Sequence, residues 1–186
     1  MLFRSHNYLD LQPDIYMCPI KEPCHFCTDI NPVEFNGSFK DAMSFDSKSY
    51  FSGLENTQRH IAFVENRKDY LKLFDTKSNY KYKGESSTAY LYSLNASNEI
   101  KKFNSDSRIL ICLRHPVDRI ISHYLMDLSA LSQVEQSLDK AVVADYGAKN
   151  RGWGKSHLYV EMSLYYNQIQ RFIDNFPLDQ IDRKST

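Results

Sequence analysis

Apolar positions recur with recognisable periods through the second half of the chain and with almost none through the first. Residues 108–113 (RILICL) form an unbroken apolar, β-branched run, the pattern of a strand buried on both faces in a parallel sheet. Directly after it, Pro116 suits the first position of a helix, and Asp118 falls in the first turn, where the helix dipole favours a carboxylate. Val117, Ile120, Ile121, Tyr124, Leu125, Leu128 and Leu131 then follow at helical spacing. A last helix is expected over 156–176, where Leu158, Met162, Tyr165, Ile169, Phe172 and Phe176 recur at steps of four and three. Residues 89–103 read as a further helix with Leu91, Leu94, Ile100 and Phe103 on one stripe, and 80–85 as a strand entering the polar turn Ser86-Ser87-Thr88.

The first half offers less. Residues 14–18 are a short β-rich run stopped by Pro19, and 66–74 predict a short helix with Tyr70, Leu73 and Phe74 on one side. Between 21 and 52, Pro, Asn, Asp, Ser and aromatics mix with no period of either kind, which reads as an ordered surface loop. Residues 1–12 are polar and aperiodic apart from a helical turn at 8–11. Strand-then-helix units argue for an α/β domain with a parallel sheet, and a length of 186 residues for a single domain spanning the chain.

Charge narrows the function classes. Lys and Arg number 23 against 23 Asp and Glu, so a polyanion binder driven by bulk charge is excluded and nucleic acid is not an expected partner. No apolar run approaches the length of a membrane span, so no membrane association is expected. Four cysteines are too few to staple a scaffold of this size and the first residues lack an apolar signal core, which points to a reducing, cytoplasmic setting. Cys24 and Cys27, with Cys18 and His25 nearby, have zinc-like spacing. No second ligand pair follows, since Cys112 lies in the run 108–113, so no metal is expected and small buried thiols are the plainer reading. Six glycines are few for a protein whose backbone has to approach phosphates.

The sharpest local feature is Arg114-His115-Pro116-Val117-Asp118-Arg119-Ile120-Ile121-Ser122-His123-Tyr124. A guanidinium at the carboxyl end of a buried strand, followed by a Pro-initiated helix, lies where open α/β sheets bind ligands. Arg114 and Ser122 can converge there on one phosphate, the first with a two-pronged charged donor, the second with a hydroxyl. The competing reading pairs Arg114 with Asp118 and leaves Ser122 to pack. His115 and His123 flank this feature and are candidates for acid/base work, although histidines on helix surfaces more often face solvent.

This stretch resembles the 3′-phosphate-binding signature of sulfotransferases that use 3′-phosphoadenosine-5′-phosphosulfate (PAPS). Three other stretches agree in order and spacing. The segment from Pro13 through Lys21, Glu22 and Pro23 is similar to that following the first helix in the bacterial and heparan-sulfate-type branch. Gly84-Glu85-Ser86-Ser87-Thr88 resembles that branch's Gly-Glu strand and turn. Tyr159 through Gln168 to Pro177 resembles its Tyr/Gln-rich helix near the acceptor site. The likeness runs from about residue 9 to 181.

The resemblance implies a P-loop-NTPase-like three-layer α/β domain with a central parallel sheet. It also implies transfer of a sulfuryl group from PAPS to a hydroxyl or amine of a small-molecule or glycan acceptor, with a carbohydrate expected. Arg114 and Ser122 would hold the 3′-phosphate, Glu22 would be the general base, and Lys21 would add positive charge to the acceptor pocket. From the residues alone, Lys21-Glu22 reads instead as an ordinary exposed pair. Tyr159, Tyr166 and Trp153 are free of the core stripe and are candidates to line an acceptor groove. The departures are specific. The family's Gly-rich phosphate loop, with its Lys, should precede residue 5, yet no glycine stands before Gly37 and no lysine before Lys21. The chain also stops at Thr186, where the family continues, so it is expected to be truncated at both ends, without the first strand and phosphate loop. An inactive remnant or binding module is the alternative to an enzyme. Cys24-His25 replaces the usual His-aromatic pair, and Ser86 stands where many members have Lys.

Overall fold

A computed structural model describes residues 3–43, 45–53 and 59–185. Helix α1 (Phe3–Asp10) leads into strands β1 (Ile15–Met17) and β2 (Ile20–Glu22). Helices α2 (Gly37–Met43) and α3 (Ser47–Phe51) precede β3 (Arg59–Ile61), α4 (Arg67–Lys72) and β4 (Tyr82–Gly84). Helices α5 (Ala89–Tyr92) and α6 (Ala96–Phe103) are followed by β5 (Ile109–Leu113) and α7 (Pro116–Ser129). Helices α8 (Leu138–Tyr146) and α9 (Tyr165–Asn175) and strand β6 (Ile181–Ser185) complete the order.

Every strand pairing is parallel, as the alternating strand and helix pattern predicts. The described strands form three two-stranded pairs, β1 with β4, β2 with β3 and β5 with β6. Met17 stands opposite Gly84, where a Cβ would lie 3.1 Å from the Met17 sulfur, so the Met17 side chain would have to shift to admit one. The main core gathers Cys18, Ile20, Val64, Tyr70, Ile100, Ile111 and Phe172, so the β2–β3 and β5–β6 pairs and helices α4, α6 and α9 bury apolar surface together.

The structure departs from the sequence reading in five places. Helix α1 occupies most of the segment read as aperiodic. The segment 21–52 holds β2, a 3₁₀ turn at Pro32–Glu34, α2 and α3. Helix α3 is started by Asp46, whose carboxylate accepts from the backbone of Lys48 and Ser49 at 3.0 and 3.3 Å. The single helix expected over 89–103 breaks at Ser93, whose hydroxyl accepts from the backbone of Asn95 and Ala96 and so caps α6, leaving Leu94 exposed. The last helix begins at Tyr165 rather than at 156, because Leu158 adopts a left-handed φ of 54° that no α-helix accommodates. Finally, β5 is buried on one face only: Leu110 is 43% exposed, and Cys112 is exposed rather than buried. Ser5 of α1 reaches that outer face, its Oγ 3.6 Å from the Cys112 sulfur.

Candidate functional site

The Lys21–Glu22 pair closes β2 and is buried, so the reading of an exposed surface pair does not hold. Lys21 Nζ donates to Glu22 Oε1 at 2.8 Å, and His60 of β3 places Nε2 3.2 Å from the same oxygen. On the other oxygen, the Thr88 backbone N–H and hydroxyl donate at 3.2 and 2.7 Å. Burial alone would push the Glu22 carboxyl up. The His60 hydrogen bond, the Lys21 charge and hydrogen bond and the Thr88 hydrogen bond outweigh it and hold the group at about 2.

The polar turn after β4 laces this pair in place. Ser86 N–H donates to the Lys21 carbonyl at 3.3 Å, and the Cys24 N–H donates to Ser87 Oγ at 3.1 Å. The Ser87 hydroxyl in turn donates to Glu85 Oε2 at 2.6 Å, while the hydroxyls of Tyr70 and Tyr90 donate to Oε1. Desolvation pushes the Glu85 carboxyl up to about 7, with these hydroxyl hydrogen bonds opposing it. His6 of α1 sits against the same turn, its Nδ1 3.0 Å from Ser86 Oγ, and burial lowers its pKa. Sequence reasoning missed His6, His60, Glu85 and Thr88 as site residues. The run RHIAFV at 59–64 carries a signal that would have placed His60 on a strand, but not its pairing beside β2.

The second element of the site is the junction between β5 and α7. Arg114 follows the strand by one residue, and Ser122 lies in the second turn of the helix; both are partly exposed. Among the described residues neither side chain makes a hydrogen bond or ion pair, and Arg114 does not pair with Asp118. Pro116 begins α7, and His115, the preceding residue, gives no side-chain cap. The first-turn N–H groups therefore have no side-chain acceptor there, and a 14-residue helix offers them and its positive end to an anion. Arg119, by contrast, turns inward: its Nε donates to Ser163 Oγ at 2.5 Å and its Nη2 to the Tyr159 carbonyl.

Tyr159 is corrected from groove residue to core residue. It is 0% exposed, its hydroxyl donates to Asp127 Oδ2 at 3.0 Å, and its ring stacks on His157 with centroids 5.0 Å apart. His123 also faces Asp127, and burial outweighs that carboxylate to bring it down to about 4, so it is enclosed rather than solvent-facing. Tyr166 is 78% exposed and free to meet a ligand. Trp153 packs against Tyr92, beside Gly154, which lies against Phe35. A cavity of about 380 Å³, lined by Asn36, Phe39, Glu135, Asp145 and His157 among others, includes none of Lys21, Glu22, Arg114 or Ser122. Among the described residues, no group of three or more His, Cys, Asp and Glu side chains is gathered to hold a metal ion.

The chain is thus a parallel α/β fold with a cationic residue between a strand end and a helix start that has no side-chain cap. No family model matches the chain and no curated protein is detectably similar to it. Among solved structures, the sulfotransferase from Alicyclobacillus acidocaldarius has the same fold, with a TM-score of 0.75 and 24% sequence identity over 96% of this chain. The chain spans 65% of the length of that structure.

Proposed function

We propose that this chain is a sulfotransferase domain that transfers a sulfuryl group from PAPS to a hydroxyl or amine, with a carbohydrate as the acceptor. The observation that carries the reading is Arg114: a guanidinium without a partner among the described residues, beside an uncapped helix start, in the fold of a sulfotransferase. Arg114 and Ser122 bind the 3′-phosphate of the donor, the first bidentately, while the α7 N–H groups add hydrogen bonds to the same anion. Lys21 brings positive charge to the acceptor side, and the carboxylate centre at Glu22 draws off the acceptor proton. The exposed Tyr166 meets the acceptor. Because sulfuryl transfer is an in-line displacement, the protein's main tasks are to position the two substrates and to stabilise the charge that moves between them. All four cysteines are free thiols, in keeping with a reducing, cytoplasmic setting. Among the described residues no helix is long and apolar enough to cross a membrane.

The test is transfer of radiolabelled sulfuryl from PAPS to a panel of glycans by the full-length polypeptide. Label should appear in a glycan, and Glu22→Gln should lower the rate by about 10²–10⁴-fold with nucleotide binding retained. Nucleotide binding without transfer to any hydroxyl or amine acceptor would contradict the reading and leave a binding module.

A further inference from the structure

We propose that the cavity beside His157 holds a sugar residue of the acceptor other than the one that is sulfated, with His157 Nε2 bonded to one of its hydroxyls. Its assignment to the acceptor rests on the carbohydrate reading above; the site itself is defined by the cavity and by the way its histidine is held. At about 380 Å³ the cavity falls at the small end of the range for small-ligand pockets. It borders both halves of the proposed transfer site. Phe39 of its wall packs against the cluster holding Cys24 and Cys27, just after Glu22 in the chain. Asp127, which holds His157, belongs to α7, the helix that starts beside Arg114.

His157 is held firmly, and one of its ring nitrogens is left over. The Asp145 carboxylate accepts from the backbone N–H groups of His157 and Tyr159 at 2.8 and 3.0 Å, one on each oxygen. Those two bonds span Leu158, whose left-handed φ of 54° is a conformation that bulky residues rarely adopt. Strain of this kind persists only where the surroundings hold it, and it clusters at ligand sites. The imidazole is fixed as well. Its Nδ1 lies 2.7 Å from Asp127 Oδ2, the Tyr159 ring stacks on it, and Phe39 packs against it edge to face. Nε2 is the remaining nitrogen, and among the described residues it makes no hydrogen bond.

The groups around the cavity suit a hydroxyl-rich ring. With Nδ1–H donated to Asp127, Nε2 accepts from a hydroxyl while the imidazole is neutral and donates to it once the ring is charged, so a hydroxyl satisfies it in both states. Glu135 has one oxygen on the Ser137 N–H at 2.9 Å, which leaves the other to accept. Ser156 Oγ accepts from the Gly152 N–H at 3.3 Å, which leaves its hydroxyl hydrogen to donate. Phe39 supplies an apolar wall for the C–H face of a sugar. An anionic ligand is disfavoured, because Glu135 and Asp145 border the cavity and Lys155, the cation there, is engaged by Glu34.

Saturation-transfer NMR of the full-length polypeptide with four neutral disaccharides, cellobiose, lactose, maltose and chitobiose, tests the site without any nucleotide. At least one should bind. His157→Phe keeps a ring against Tyr159 and Phe39 but has no Nε2, and should weaken that binding about tenfold. Ala144→Leu fills the cavity from an exposed position of α8, so it leaves the core untouched, and should weaken binding by at least as much. Both variants should keep the parent's affinity for 3′,5′-adenosine diphosphate, and in transfer assays should raise KM for the glycan with little change in kcat. Binding of none of the four sugars, or parental affinity in Ala144→Leu, overturns the inference and leaves the sulfuryl-transfer reading intact. A parent that binds a disaccharide in this cavity yet transfers no sulfuryl to any glycan overturns that reading, and with it the cavity's acceptor role.

Discussion

Glu22 and Arg114 each stand at the carboxyl end of a parallel strand, yet their surroundings are opposite. Glu22 is buried, with Lys21, His60 and the Thr88 N–H and hydroxyl against its two oxygens. Arg114 is partly exposed and meets no hydrogen-bonding or ionic partner among the described residues. Burying a lone carboxylate is costly, so a charge that must be in place before substrate arrives has to be satisfied by the protein. A guanidinium left hydrated at the surface costs little, and it can exchange water for a phosphate when the ligand comes. In the proposed function the contrast separates a preorganised acceptor side from a phosphate side completed by its ligand.

The largest effect expected from this contrast is on stability. Glu22→Ala removes all four hydrogen bonds and leaves Lys21 without that carboxylate, so denaturant unfolding should show a loss of about 3–5 kcal/mol. Arg114→Ala should stay within about 0.5 kcal/mol of the parent. Equal losses would erase the distinction between the two sides.

A smaller effect is expected from pH. Glu85 has a folded pKa raised from its ordinary 4.5 to about 7, so its contribution is full below 4.5 and is lost as pH rises through 7. Glu22 has the opposite sign: lowered to about 2, it contributes fully above 4.5 and is lost only as pH falls through 2. Between about pH 5 and about pH 8 the Glu22 contribution is constant while the Glu85 contribution falls, so across that window the melting temperature of the parent should decline relative to that of Glu85→Gln, and not relative to that of Glu22→Gln. Parallel profiles of the parent and Glu85→Gln would show that Glu85 is ionised throughout.

These two sides were not equally legible in the sequence. The β5–α7 junction is local: a β-branched run, an Arg, a Pro and a helical stripe are consecutive, and each reports its own conformation. Glu22's surroundings are assembled from residues 38 and 66 positions away, His60 and Thr88, and no period along the chain announces such a meeting. Tyr159 failed for a related reason. Its place outside the apolar stripe of the helix expected over 156–176 suggested freedom, but the left-handed turn at Leu158 carries it inward to Asp127. Leu94 erred because the Ser93 hydroxyl, capping α6, splits a stripe that looked continuous. Parallel α/β architecture was readable because it follows from the order of strands and helices. The one-sided burial of β5 was not, because composition does not say which face a neighbouring element covers.

The most direct measurement is calorimetric titration of the protein with 3′,5′-adenosine diphosphate, repeated with Arg114→Ala. The account predicts binding by the parent and a loss of about 1.5–3 kcal/mol in the variant, the range for hydrogen bonds to charged groups. No heat of binding in the parent, or equal affinity in the variant, would contradict an anion site built on Arg114.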